Sequence, residues 1–197
     1  MNSYINQAYS EKPNLSLLDM KICYLADIAE YIKDKNIPGD VVECGVYKGG
    51  CARLLATIFS DKNILLFDSF SGMIEDDSHP NGHHKKGEFS DTTLESVQEY
   101  LDDKPNCCFH PGWFPHSSNF LTNETFSFVH IDFDLYQSTK SAVELFWPRL
   151  NTKGIILFDD YDWEPCPGVN TTILEYFTDQ VAHAKYFGPN MCAIQKL

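Results

Sequence analysis

Apolar residues follow one another along this chain in two rhythms. Short apolar-rich runs, at Val41–Val42, Asn63–Asp68, Phe126–Ile131 and Ile155–Phe158, have the length and composition of buried strands. A further strand is expected over Cys107–His110, running into Pro111-Gly112-Trp113-Phe114. Between the runs the spacing changes to steps of three and four. Leu18, Ile22, Leu25, Ala29 and Ile32 predict an amphipathic helix that Pro38-Gly39 terminates. The same rhythm predicts helices from the Gly49-Gly50 turn through about Phe59, and over Thr92–Leu101, Tyr136–Trp147 and Gly168–Phe177. Residues 1–14 are polar and read as an arm or lead-in, and Lys185–Leu197 reads as two strands turning at Gly188-Pro189-Asn190.

The segment Phe126–Tyr161 organises the rest. Its two apolar runs are joined by a helix, a connection far too long for a hairpin, so the strands are parallel and end on the same edge of the sheet. Each run ends in acid, Asp132 and Asp134 after the first, Asp159 and Asp160 after the second. Asp132 and Asp134 face the same way if the strand continues, whereas Asp159 and Asp160 converge only if the chain turns. Carboxylates crowded together repel unless some are protonated or a cation sits among them. An all-oxygen set favours Mg²⁺, then Mn²⁺ or Ca²⁺, and zinc is not expected without His or Cys. The plainer alternative is that these acids are simply solvated at strand ends.

The carboxyl edge of an open α/β sheet is where ligands bind, and other segments reach it. Asp40–Gly50 reads as a strand, a turn punctuated by Gly45, Gly49 and Gly50, and a helix start whose free N–H groups can face a ligand. The spacing is not GxGxxG, which argues against a dinucleotide-binding oxidoreductase. Asp68, at the end of the second strand, stands where a Rossmann-like unit holds a ribose hydroxyl. Ser71–Ser90 is long, polar and broken by Gly72, Pro80, Gly82 and Gly87, the character of a lid loop. Its His79, His83 and His84 lack helical metal-ligand spacing and are expected to be solvated lid residues that help dock a substrate. Trp113 and Phe114 either stack on a ligand ring or plug the sheet edge.

At 197 residues and 43% apolar content, the chain has ample material for one core, and no linker or repeat divides it. A net charge of −13 argues against a nucleic-acid backbone or an anionic membrane as partner and favours small neutral or cationic ligands. No run reaches the roughly 20 apolar residues that span a bilayer, and the N-terminus lacks a signal-peptide core. Seven cysteines without a CxxC pair read as reduced, mostly buried thiols in a cytoplasmic protein, Cys44 among them as a space-filling residue.

The segments VVECGVYKGG, LFDSFSGM, PGWF, HIDFDLYQST and GIILFDDY, in this order over residues 40–161, resemble the macrocin O-methyltransferase (TylF-type) family. These are S-adenosylmethionine- and Mg²⁺-dependent enzymes that methylate sugar hydroxyls of antibiotics. The resemblance implies a Rossmann-like class I methyltransferase fold: a mostly parallel seven-stranded sheet, helices on both faces, and an antiparallel C-terminal strand. It implies that Glu43, Gly45 and Gly49 line the S-adenosylmethionine pocket, with Tyr47, Gly50, Ser69, Gly112, Trp113 and Phe114 around it and Asp68 on the ribose. Asp132, Asp159 and Asp160 are the implied metal ligands and Asp134 the implied general base. The partner is then a small-molecule hydroxyl acceptor, a sugar or catechol-like diol, and a homodimer is compatible with the family.

Two departures stand out. Phe133 occupies the position where the family usually has glycine, and the segment before Val41 and the lid are short for a macrolide-sized acceptor. Two other readings compete: a metal-dependent glycosyltransferase that uses Asp132-x-Asp134, and a non-catalytic ligand-binding domain. The first leaves Asp159, Asp160 and the glycine turn without a role, and the second leaves the whole acid set without one.

Overall fold

The computed structural model describes residues 3–10, 12, 19–178 and 183–197. In chain order the elements are α1 (Ser3–Tyr9), α2 (Asp19–Asp34), β1 (Asp40–Cys44), α3 (Gly50–Ile58), β2 (Ile64–Asp68), α4 (Leu94–Tyr100), β3 (Cys107–Pro111), β4 (Phe126–Ile131), α5 (Tyr136–Arg149), β5 (Leu150–Phe158), α6 (Pro167–Tyr176), β6 (His183–Gly188) and β7 (Met191–Lys196). The seven strands form one sheet in the order β3-β2-β1-β4-β5-β7-β6. All pairs from β3 across to β5 are parallel, and β7 runs antiparallel to both of its neighbours. This is the mostly parallel, seven-stranded arrangement that the family resemblance implies. Strand order reverses between β1 and β4, the switch point at which such sheets open a crevice.

Each face of the sheet has its own core, and alternation along the strands assigns residues to one or the other. Val41, Ile64, Leu66, Phe128, Ile155 and Leu157 pack under α1–α4. Val42, Leu65, Phe67, Val129, Ile131, Ile156 and Phe158 pack under α5 and α6. Among the described residues six phenylalanines, Phe59, Phe67, Phe126, Phe128, Phe146 and Phe158, are fully buried, and each contributes roughly 1.5–3 kcal/mol of apolar burial. Two polar residues break the apolar pattern in adjacent central strands, Glu43 on β1 and His130 on β4, which are register partners and wholly enclosed.

Several expectations need correction. The polar N-terminal stretch is not a simple lead-in, because Ser3–Tyr9 is helical, buries Ala8, and donates the Tyr9 hydroxyl to the Gly50 carbonyl at 2.8 Å. A short helix with a few apolar residues gives too weak a period to read alone. The second helix is seen from Asp19, and Leu18, where the sequence starts it, lies outside the described residues, as do 1–2, 11 and 13–14 of the N-terminal stretch. Strand β5 begins at Leu150 instead of Ile155, with Thr152 and Lys153 exposed, so its polar first half does not look like a buried strand. Among the described residues, no helix is long and apolar enough to cross a membrane.

Candidate active site

The last rungs of four strands lie level. Cys44 pairs with Phe67 on one side and Ile131 on the other, and Ile131 pairs with Phe158. The amides just past these rungs still reach across: Gly45 N–H donates to Phe67 at 2.9 Å, Asp132 N–H to Cys44 at 2.7 Å, and Asp159 N–H to Ile131 at 2.9 Å. Asp132 and Asp159 are therefore held by sheet hydrogen bonds one residue beyond neighbouring strands. The chain then turns. Asp134 (φ 59°) and Asp160 (φ 54°) both adopt the left-handed backbone that non-glycine residues rarely take. The extended spacing that would point Asp132 and Asp134 the same way does not occur, since β4 stops at Ile131; the turns bring the acids together. Strained backbone of this kind costs on the order of 1–3 kcal/mol per residue and concentrates at functional sites.

One carboxylate oxygen each from Asp132, Asp134 and Asp160 lie within 4.8 Å of one another, and Asp132 and Asp159 form a second such group with His130. Burial pushes the Asp132 carboxyl well above the usual carboxylate range, and Asp159, Asp134 and Asp160 push it further. Asp134 is raised well above it too, by burial and then by Asp160 and Asp159. Asp159 is raised less, because Lys21 opposes burial and the charge of Asp160. Lys21, from α2, forms ion pairs with Asp159 and, at 3.1 Å, with Asp160. Burial lowers its own pKa and these two acids more than restore it. Nothing in a helical period indicates that this lysine lands on the acids.

On the other side of the switch point, Asp68 builds the glycine turn. One of its oxygens accepts from Val46 N–H at 2.7 Å and Tyr47 N–H at 2.9 Å, and the other from Phe70 N–H at 2.7 Å. Gly45 (φ 87°) crosses so close to β4 that a Cβ there would collide with the Asp132 carbonyl. Glycine is required at this crossing of the two loops. The Glu43 carboxylate lies 3.6 Å from His130 Nδ1, longer than a hydrogen bond, and its Oε2 has no hydrogen-bond partner. Burial raises the Glu43 pKa, with His130 opposing.

These segments enclose a cavity of about 380 Å³, within the range of small-molecule sites. Every expected site residue except Gly49 lines it. Gly49 (φ 82°) instead caps α3, and a Cβ on it would meet Val97 on α4 at 3.0 Å. Trp113 and Phe114 both border the cavity, and Phe114 is buried against Phe67, Phe133 and Phe146, the edge-plugging role foreseen for it. Cys44 is buried as expected, and all seven cysteines are free. Residues that sequence reasoning missed include Lys21, Met73, Phe89, Trp163 and Asn190 on the walls.

The lid is anchored. Asp77 accepts from the Tyr136 amide at 3.0 Å and so caps α5, while His79 meets Thr171 at 3.1 Å. His84, expected to be solvated, lines the cavity with its side chain mostly covered and its Nε2 3.3 Å from the buried Cys166 thiol.

The chain has clear relatives. Residues 18–183 match the family model for macrocin-O-methyltransferase (TylF). It is 30% identical over 154 residues to the 8-demethyl-8-(2,3-dimethoxy-alpha-L-rhamnosyl)-tetracenomycin-C 4'-O-methyltransferase of Streptomyces olivaceus, covering 70% of this chain and 58% of that one. It is 27% identical over 172 residues to the demethyldecarbamoylnovobiocin O-methyltransferase of Streptomyces niveus, covering 77% and 64%. The chain thus spans about three fifths of the length of these curated relatives. Among solved structures it is similar to the O-methyltransferase NovP, with a TM-score of 0.77 and 24% identity over 89% of this chain and 79% of that one. The calicheamicin methyltransferase CalS11 gives a TM-score of 0.72 at 20% identity, covering 89% and 79%. Both likenesses agree with the class I methyltransferase fold expected from sequence. With a match that runs from α2 through the acid cluster to the start of β6, this chain belongs to the macrocin-O-methyltransferase (TylF) family.

Proposed function

We propose that this protein transfers a methyl group from S-adenosylmethionine to a hydroxyl of a small molecule, a sugar or glycosylated natural product, with the help of a divalent ion. The observation that carries the reading is a single cavity at the β1/β4 switch point, with the glycine turn on one wall and four carboxylates on the other. The relatives' names specify methylation of sugar-bearing natural products, which supports the acceptor class.

The residues present fit both groups. Toward S-adenosylmethionine, Glu43 offers an unpartnered carboxylate oxygen, Gly45 and Gly50 let the backbone come close, and Asp68 and Ser69 stand at the end of β2. Trp113 supplies an apolar wall. Toward a metal, we assign Asp132, Asp159 and Asp160 as all-oxygen ligands suited to Mg²⁺: Asp132 and Asp160 offer oxygens within 4.8 Å of each other and of Asp134, Asp159 offers one as close to Asp132, and Lys21 only partly compensates their repulsion. When bound, the sulfonium supplies an electrophilic methyl, and the divalent ion supplies positive charge that makes a nearby hydroxyl more acidic.

The chain's own part is positioning and proton transfer. Asp134, half-buried beside the ligand set, takes the hydroxyl proton as general base. Phe133, Leu135 and Phe114 add apolar wall to the cavity beside these acids. Holding two reactants in line can supply roughly 7–11 kcal/mol of the barrier reduction, so the cavity walls contribute as much as the base. Neither a glycosyltransferase nor a non-catalytic domain accounts for Asp159, Asp160 and Gly45 sharing one cavity with Asp132.

The test is to incubate the protein with S-adenosylmethionine and a panel of sugar and glycoside acceptors, with Mg²⁺ or with chelator, and follow S-adenosylhomocysteine by mass spectrometry. Acceptor-dependent, chelator-sensitive product is expected. No product with any acceptor, alongside undetectable S-adenosylhomocysteine binding, overturns the reading.

A further inference from the structure

The acid cluster has a corner of different chemistry. Cys166 stands at the N-terminal boundary of α6 and is buried. Its sulfur lies 3.3 Å from His84 Nε2, 3.7 Å from an Asp134 carboxylate oxygen and 3.7 Å from an Asp160 oxygen. Ligand atoms of His84, Asp134 and Cys166 all fall within 4.8 Å of one another. The three come from the lid, the turn after β4 and the start of α6, so only the fold assembles them.

We propose that His84, Asp134 and Cys166 form a binding site for a zinc-class divalent ion, separate in chemistry from the all-oxygen set beside it. The two distances from the sulfur, to His84 and to Asp134, are those of tetrahedral edges, and the third side is within 4.8 Å. With Zn–S near 2.3 Å and Zn–N and Zn–O near 2.0–2.2 Å, neighbouring ligands sit roughly 3.3–3.7 Å apart. Nitrogen, sulfur and oxygen together select a borderline ion over Mg²⁺, which prefers six oxygens. A second, independent feature points the same way. His84 Nδ1 is 2.6 Å from Glu88 Oε2, four residues on. A carboxylate on the far nitrogen is the usual support of a metal-bound imidazole: it keeps the proton on Nδ1 and aims the Nε2 lone pair at the thiol.

Ligation would release the Cys166 proton to solvent and replace water on the ion, leaving the fourth position for water or Asp160. An ion held here fastens the lid to α6 and to the turn after β4. Because Asp134 is also the proposed base, such an ion would take it out of proton transfer; that consequence rests on the reading above, whereas the binding does not.

The experiment is a titration of the reduced, metal-free full chain with CoCl₂, followed by absorbance. A thiolate-to-cobalt charge-transfer band in the near ultraviolet, which an all-oxygen site cannot give, is expected to saturate at one ion per chain and to be removed by ZnCl₂. Cys166→Ser should abolish it, His84→Ala should weaken binding at least about tenfold, and Glu88→Gln should weaken it about 10–100-fold. Absence of the band in the wild type overturns the proposal. So does a band that survives Cys166→Ser, which would belong to Cys23, Cys107 or Cys108, or an affinity unmoved by His84→Ala. His84 and Glu88 sit on the lid outside both cores, so their variants keep the test sound should the Cys166 variant misfold.

Discussion

Asp134 concentrates the chemistry in one residue: a left-handed backbone, a half-buried carboxyl, and two further acids close enough to hold its proton on. A general base must be ionised to act; burial, Asp160 and Asp159 raise the Asp134 pKa in the metal-free protein, and a divalent ion beside it would lower it, so the acid limb of kcat/KM should move to lower pH as Mg²⁺ is raised. Asp134→Asn should abolish turnover while leaving Mg²⁺ and S-adenosylhomocysteine affinities within a few-fold, as measured by calorimetry. Loss of metal binding in that variant would make Asp134 a ligand and the assignment of roles wrong. At Gly45 the constraint is steric. Gly45→Ala should lose cofactor binding and lower the unfolding free energy by more than the roughly 1–2 kcal/mol of a left-handed alanine alone, because its methyl strikes the Asp132 backbone. Denaturant unfolding of that variant, indistinguishable from wild type, would contradict the close approach.

Elements decide which charges meet. The parallel strands β1, β2, β4 and β5 were legible in the sequence because buried strands are short apolar runs, and the acids or glycine at their ends marked the edge. What such a pattern cannot carry is the landing point of a side chain from another layer. The period of α2 gives its buried face, through Leu25, Ala26, Ala29 and Ile32, but not that Lys21 projects onto Asp159 and Asp160. His84 and Cys166 were invisible as a pair for the same reason: an irregular loop and a helix boundary have no period, and 82 residues separate them. The α2 ammonium sits where a divalent ion would be shared, so it competes with one. Lys21→Met should tighten Mg²⁺ binding about tenfold or more, some 1.4 kcal/mol, in a calorimetric titration, and should lower the melting temperature of the metal-free protein. Weaker Mg²⁺ binding in the variant would show that Lys21 supports the site.

For the molecule as a whole, the acid cluster makes stability depend on pH and metal. Asp132, Asp134 and Asp159 all have folded-state pKa values above those of an unfolded chain. Their contribution to stability is fully present below the unfolded value of about 3.9 and is lost as pH rises through the raised folded values. In chelator, wild type should therefore lose stability between about pH 4 and neutrality relative to an Asp132→Asn/Asp159→Asn variant, by chemical denaturation. Adding Mg²⁺ at a hundred times its Kd should return about 2.7 kcal/mol to wild type and nothing to the variant. A net charge of −13 adds to this self-repulsion, so the difference should shrink in high salt. The fold class was readable from the alternation of strand and helix, and the candidate site from the residues at strand ends. The enclosing walls were not, since Met73, Phe89, Trp163 and Asn190 reach the cavity from the lid and from turns, where no period fixes which way a side chain points.

All of this turns on whether the strand-end acids hold a divalent ion beside the methyl donor. The most direct measurement is an anomalous difference map from a crystal grown with S-adenosylhomocysteine and Mn²⁺. The expected map has a peak at bonding distance from Asp132, Asp159 and Asp160, with S-adenosylhomocysteine against Glu43 and Gly45. A fully ordered S-adenosylhomocysteine with no peak at those carboxylates, or with the ion bound elsewhere, would contradict it.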